Sequence, residues 1–252
     1  MEQFSKLLIL LISFLLIACS TSAQSEKTNL ESPLSPVNNI QPIINLPNKS
    51  QANKILFIGD SHAVGLFGKE LFNRLQSKYP SSELYFYAVC GSSPSWWIKG
   101  HETNCGYWQL DVTGQEIKTK QGVTPDLKAL LQNIKPNLVI VEQGTNLIKL
   151  KTAHVKQELI QLLNFIKDTS TAKIFWVGPP DARIYSKKAL KATFLTMSKV
   201  CSEQKPKITF IDSRKVTHYP ASAKDGIHYN GIQGELEHIK WATKVANVIN
   251  LK

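Results

Sequence analysis

The chain of 252 residues is 42% hydrophobic, enough apolar material for one medium-sized core. Lys and Arg outnumber Asp and Glu by 30 to 19, a formal charge of +11. That charge points to an anionic neighbour such as cell-wall polymer, lipopolysaccharide or phospholipid head groups, with solubility alone as the plain alternative. The lysines are scattered and no nucleic-acid motif accompanies them, so nucleic acid is not expected as a partner. No Cys/His spacing suggests zinc, and neither a metal nor a cofactor is expected.

In chain order, Lys6 and the apolar run 7–17 come first, a stretch too short for a comfortable membrane span. Small Ala18 precedes Cys19, and "LIAC" looks like a bacterial lipobox, in which the cysteine is lipidated and the peptide before it removed. An ordinary secretory signal with an incidental cysteine is the alternative. Residues 1–18 are thus expected to be a lipoprotein signal peptide and Cys19 the membrane anchor. Ser20 in place of an aspartate favours the outer membrane, facing the periplasm, by resemblance to enterobacterial lipoproteins. Residues 19–52 are rich in Ser, Asn, Pro and Gln, with Pro33, Pro36, Pro42 and Pro47 against helix, and read as a flexible tether. Residues 53–252 form the expected folded domain, taken to be a monomer.

Within it, apolar strands alternate with amphipathic segments. Strands are expected at 55–58, 84–89, 138–141, 174–177 and 208–211. Helices are expected at 63–78, from Thr124 onward, at 155–166, 187–201 and 232–249. This alternation predicts an α/β domain of three layers, a five-stranded parallel sheet covered by helices on both faces. Residues 91–122 form a long connection holding Trp96, Trp97 and Trp108, and connections of that length are usually functional. Export permits a disulfide, and Cys90 with Cys105, enclosing part of this connection, is the favoured pair. Cys201 is then a buried helical thiol, although other pairings stay open.

In parallel sheets ligands bind beyond the carboxyl ends of the strands, so the residues following each strand carry the information. After the first come Gly59, Asp60, Ser61 and His62, and after the second Cys90 and Gly91. "VEQGTN" after the third ends on Asn146, and "GPPDAR" after the fourth holds Asp181 and Arg183. "KDGIHYN" before the last helix holds Asp225 and His228. Singly, each has a dull explanation as a cap or turn. Together they supply an acyl-transfer site: a serine nucleophile, a histidine base, an aspartate to orient it, and donors for an oxyanion. The oxyanion donors are the amides of Ser61 and Gly91 and the side chain of Asn146. Ser61 is expected to share the capping of its helix, and Asp60 to secure the turn.

Gly59-Asp60-Ser61-His62, Gly91, Gly-Thr-Asn146 and Asp225-Gly-Ile-His228, in this order, resemble the SGNH hydrolases, the GDSL-type esterases. The resemblance implies a flavodoxin-like fold with Ser61, His228 and Asp225 catalytic, and Ser61, Gly91 and Asn146 at the oxyanion hole. Two departures stand out: Leu147 follows Asn146 where the family usually has an acid, and His62 replaces the usual leucine. His62 is read as facing out of the turn, with Trp96, Trp97, Asp181 and Arg183 as further substrate contacts. An O-acetylated envelope glycan, peptidoglycan among the choices, is the expected substrate. An O-acetyltransferase, a lysophospholipase or thioesterase, and a glycan-binding module with a vestigial site are the alternatives.

Overall fold

The computed structural model describes residues 52–251. The expected signal peptide, Cys19 and the tether up to residue 51 lie outside the described residues. β1 (Lys54–Gly59) passes through a single helical turn, α1 (Ser61–Val64), into α2 (Leu66–Lys78) and then β2 (Glu83–Val89). The long connection that follows holds α3 (Pro94–Lys99), β3 (Glu102–Thr103), β4 (Tyr107–Leu110), β5 (Glu116–Thr119) and β6 (Gly122–Val123). Then come α4 (Leu127–Ile134), β7 (Leu138–Glu142), α5 (Thr152–Thr169), β8 (Lys173–Val177), α6 (Lys187–Glu203), β9 (Thr209–Ile211) and α7 (Gly231–Val248).

Five strands run parallel in the order β2-β1-β7-β8-β9. β1, with Ile55 to Ile58 all fully buried, takes the centre because both of its faces are apolar. Side chains alternate across a strand. Leu56 and Ile58 therefore join Val139, Val141, Leu159 and Trp176 under α4, α5 and α6. Ile55 and Phe57 join Phe67, Ile140, Trp241 and Val245 under α2 and α7. The three-layer reading and the five parallel strands are as expected. Numbered among themselves, these strands stand in the flavodoxin-like order 2-1-3-4-5, whose connections reverse direction between β1 and β7. A crevice therefore opens above the carboxyl ends of those two strands.

Three local features differ from the sequence reading. β4 and β5 extend the sheet antiparallel beyond β2, and β3 pairs with β6, so the long connection is folded rather than open loop. The helix expected over 63–78 is broken at Gly65, whose extended backbone (φ −84°, ψ −157°) separates α1 from α2. α4 starts at Leu127 because Asp126, not Thr124, caps it, its carboxylate accepting from the Ala129 amide at 3.1 Å.

Candidate active site

The nucleophile turn begins with a steric requirement. A Cβ on Gly59 would stand 2.5 Å from the Ala63 Cβ and 2.7 Å from the Phe57 ring, so only glycine lets α1 fold back over the strand end. Asp60 caps α1, its Oδ1 accepting from the His62 amide at 3.0 Å. The capping assigned in part to Ser61 thus belongs to Asp60. Ser61 is the first helical residue, a position whose amide has no intrahelical acceptor.

The loop before α7 brings the base to the serine across 167 positions of sequence. Ser61 Oγ lies 2.9 Å from His228 Nε2, and His228 Nδ1 lies 2.7 Å from Asp225 Oδ2. The other Asp225 oxygen, Oδ1, accepts from the Ile227 and His228 amides, both at 2.8 Å. Tyr219 Oη accepts from the Gly226 amide at 2.6 Å and pins the loop from behind. Burial works to raise the Asp225 pKa, but the hydrogen bonds from the Ile227 amide and from the His228 ring and amide outweigh it and hold it at about 2. An anionic Asp225 draws the imidazole proton to Nδ1, leaving Nε2 as acceptor for the serine hydroxyl.

The side of the site expected to hold an oxyanion is assembled around Ser92, which the sequence reading did not single out. Gly91 precedes it at φ +82°, a left-handed conformation that favours glycine. The buried Ser92 Oγ lies 3.3 Å from the Gly59 carbonyl, and its own carbonyl accepts from Asn146 Nδ2 at 2.8 Å. Gln143, also buried, seats its amide against Ser92, accepting from Ser92 Oγ at 2.9 Å and from Trp97 Nε1 at 3.2 Å. The ends of β1, β2 and β7 are thereby laced together. One Asn146 N–H is used in the lacing, and the second makes no hydrogen bond to the described residues. Polar Glu142 and Gln143 at the end of a fully apolar strand were the sequence signal that could have exposed this joint. Leu147, in the place of the family's acid, is buried in the core. Asn146→Ala is expected to lower kcat by about 10²–10³-fold with KM little changed. Steady-state kinetics beside a melting curve will read this, and an unchanged kcat removes Asn146 from the oxyanion hole.

Cys90 and Cys105 are disulfide-bonded with Cα atoms 5.6 Å apart, while Cys201 is a buried thiol whose pKa burial pushes up to about 12. The bond closes a loop of 15 residues immediately beside Gly91. A loop of that size is stabilised by about 3 kcal/mol on the chain-entropy account. Reduction, or the paired change of both cysteines to serine, is expected to lower the melting temperature and impair turnover together. Wild-type kinetics in the reduced protein will show that Gly91 is held by other means.

Two of the substrate contacts expected from sequence, His62 and Trp97, are corrected by burial. His62 does not face out: it is 2% exposed, its ring 5.3 Å from that of His228 and 5.7 Å from that of Trp241, with neither nitrogen hydrogen-bonded. Burial first, then the nearby His228 and His238, hold its pKa well below the usual histidine range. It therefore backs the catalytic imidazole as a neutral ring. Trp97 is core, because α3 turns it inward among Val141, Leu159 and Leu163. Asp181 accepts from the Tyr219 amide at 3.3 Å and from Lys187 Nζ at 3.3 Å, and Arg183 donates to the Ala223 carbonyl at 3.2 Å. Both brace the segment leading to Asp225. Trp96 lines open space. It is half-buried, stacked on His101 at 4.7 Å, in a groove of about 730 Å³ that runs from Gly91 past the disulfide to Thr103, Asn104 and Gln121. Among the described residues no group of three or more His, Cys, Asp or Glu side chains could hold a metal ion.

No protein-family model matches the chain, and no curated protein matches it. Solved structures do. TesA superposes with a TM-score of 0.54 at 17% identity, over 76% of this chain and 97% of that one. An acetyl esterase mutant crystallised with an acetate ion gives 0.54 at 12% identity, over 78% and 97%. A peptidoglycan O-acetylesterase gives 0.51 at 12% identity, over 78% and 90%. At these identities the likeness is one of fold. The chain has the SGNH hydrolase fold.

Proposed function

We propose that the protein is a serine esterase that removes O-acetyl groups from an envelope carbohydrate, peptidoglycan among the candidates. The observation that carries the reading is the unbroken hydrogen-bonded series from Ser61 Oγ through His228 to Asp225. In the first half-reaction Ser61 Oγ attacks the ester carbonyl while His228 Nε2 takes its proton. The carbonyl oxygen becomes an oxyanion facing the Ser61 and Gly91 amides and Asn146 Nδ2. Collapse breaks the bond to the sugar oxygen, which leaves with the proton from His228, and acetyl-Ser61 remains. Water, deprotonated by the same imidazole, attacks the acyl-enzyme. Acetate departs, and the proton returns to Ser61.

The groove beside Gly91 mixes Glu102, Thr103, Asn104 and Gln121 with the Trp96 ring, a lining that can hydrogen-bond the hydroxyls of a sugar and stack on its face. The lipobox, the tether and the net charge of +11 support a tethered domain working against anionic wall or surface polymer at the outer membrane. The test is mass spectrometry of the protein mixed with aryl acetate, reading an acetyl adduct on Ser61, together with acetate release from O-acetylated wall polymer. Acetyl passed to an added sugar in place of water makes the protein a transferase. A preference for long acyl chains makes it a lipid hydrolase, and the absence of both adduct and release overturns the esterase reading.

A further inference from the structure

Beneath the nucleophile turn lie two carboxyl groups, Asp60 and Glu142, both 0% exposed. Among the described residues neither forms an ion pair with a lysine or arginine. They come from neighbouring strands, since Gly59 is the sheet partner of Glu142. Glu142 Oε2 accepts from the Asp60 amide at 3.1 Å, and Asp60 Oδ1 accepts from the His62 amide at 3.0 Å. The two remaining oxygens, Asp60 Oδ2 and Glu142 Oε1, are buried with no well-formed hydrogen bond, and a further donor acting on Asp60 is the Thr145 hydroxyl, itself unpartnered. A carboxylate oxygen left bare inside a protein is costly, and two carboxylates in contact cannot both be charged there. A proton placed between the two groups removes both costs at once.

We infer that Glu142 is a positioning residue: it shares a single proton with Asp60, and that hydrogen bond fastens the Ser61 turn to the end of β7, where the Asn146 turn begins. Nucleophile and oxyanion donor are thereby set on one frame. The consequence for turnover rests on the serine-esterase reading, whereas the shared proton does not.

Burial raises both groups, Asp60 to about 6 and Glu142 well above the carboxylate range, with the Asp60 charge adding to the rise of Glu142. Asp60 is lowered in turn by the His62 amide, the Thr145 hydroxyl and His228, while Tyr185 before α6 feels the Asp60 charge. Because the folded state holds these protons more tightly than the unfolded chain, stability from the pair is full below about pH 4 and declines as pH rises. For Asp60 the decline runs to about 6, and for Glu142 it continues beyond. Glu142→Gln, which keeps an acceptor for the Asp60 amide and gives a permanent donor to its carboxylate, is expected to resist that alkaline loss.

Infrared spectroscopy of the purified protein is expected to show a protonated carboxyl band at pH 7 that Glu142→Gln abolishes. Hydrogen exchange over residues 59–65 is expected to stay near wild type in Glu142→Gln and to quicken about tenfold in Glu142→Leu. With aryl acetate, Glu142→Leu is expected to lose about 10–100-fold in kcat at constant KM, since small misplacements of a nucleophile are costly, while Glu142→Gln stays near wild type. No such band, or wild-type exchange in Glu142→Leu, overturns the inference. Should Glu142→Leu fail to fold, the band and its loss in Glu142→Gln decide alone. A wild-type protein with the band and the exchange pattern but no ester turnover keeps the pair and refutes the esterase.

Discussion

Ser61→Ala and His228→Ala are each expected to lower kcat by about 10⁴–10⁶-fold, and the double variant to lose no more than either single one. The reason is that the two side chains act as one device. Their 2.9 Å hydrogen bond is the path of the proton, and removing either end leaves nothing for the other to do. The residue of activity in all three variants then comes from the oxyanion donors and from binding, which the changes leave in place. Neither substitution opens a hole in either core, because Ser61 and His228 stand at the crevice and not among the buried apolar residues. Melting temperatures near wild type are therefore expected alongside the lost turnover. Single-variant effects that multiply in the double variant will show that serine and histidine work independently, and the proposed relay is then wrong.

Asp225→Asn is expected to cost about 10⁴-fold in kcat, by a route that depends on the proton's address. Asp225 uses one oxygen for the Ile227 and His228 amides and the other for His228 Nδ1. An asparagine that keeps its oxygen on the two backbone amides must turn its NH2 toward Nδ1. The imidazole proton is then driven to Nε2, where it donates to Ser61 instead of accepting from it. Nitrogen-15 NMR of the histidines reads the tautomer directly, and wild-type kcat with the proton on Nε2 removes the argument. The same aspartate sets an acid limit. Its pKa lies at about 2, below the unfolded value, so its contribution to stability is full above about pH 4 and is lost as pH falls toward 2. Asp225→Asn is expected to flatten stability over that window.

The residues of the candidate site were legible because each sits directly after a strand or before the last helix, in a short sequence of uncommon composition. Gly59 to His62 and Asp225 to His228 could be placed in one site from order alone. The supporting layer was less visible. Ser92 and Gln143 carry no chemistry of their own and matter only because the ends of β1, β2 and β7 converge on them. Trp97 was misplaced as a substrate contact for a related reason: adjacent tryptophans 96 and 97 look alike in sequence, yet a helical turn sends one into the core and one to the groove. The hairpin of β4 and β5 escaped notice because four-residue strands carry too few alternations to register, and every side chain of β5 is exposed.

By itself, then, the sequence determined the alternation of strand and helix, the five parallel strands, the Cys90–Cys105 pairing as the favoured one, and the chemistry held at the strand ends. Those properties are local: hydrophobic period, turn residues and short motifs act over a few positions. Only the tertiary structure decided that His62 is buried, that Asp181 and Arg183 brace a loop, and that Asp60 meets Glu142. Each of these depends on what a distant segment places beside the residue, and burial, hydrogen-bond partners and pKa values are set by such neighbours.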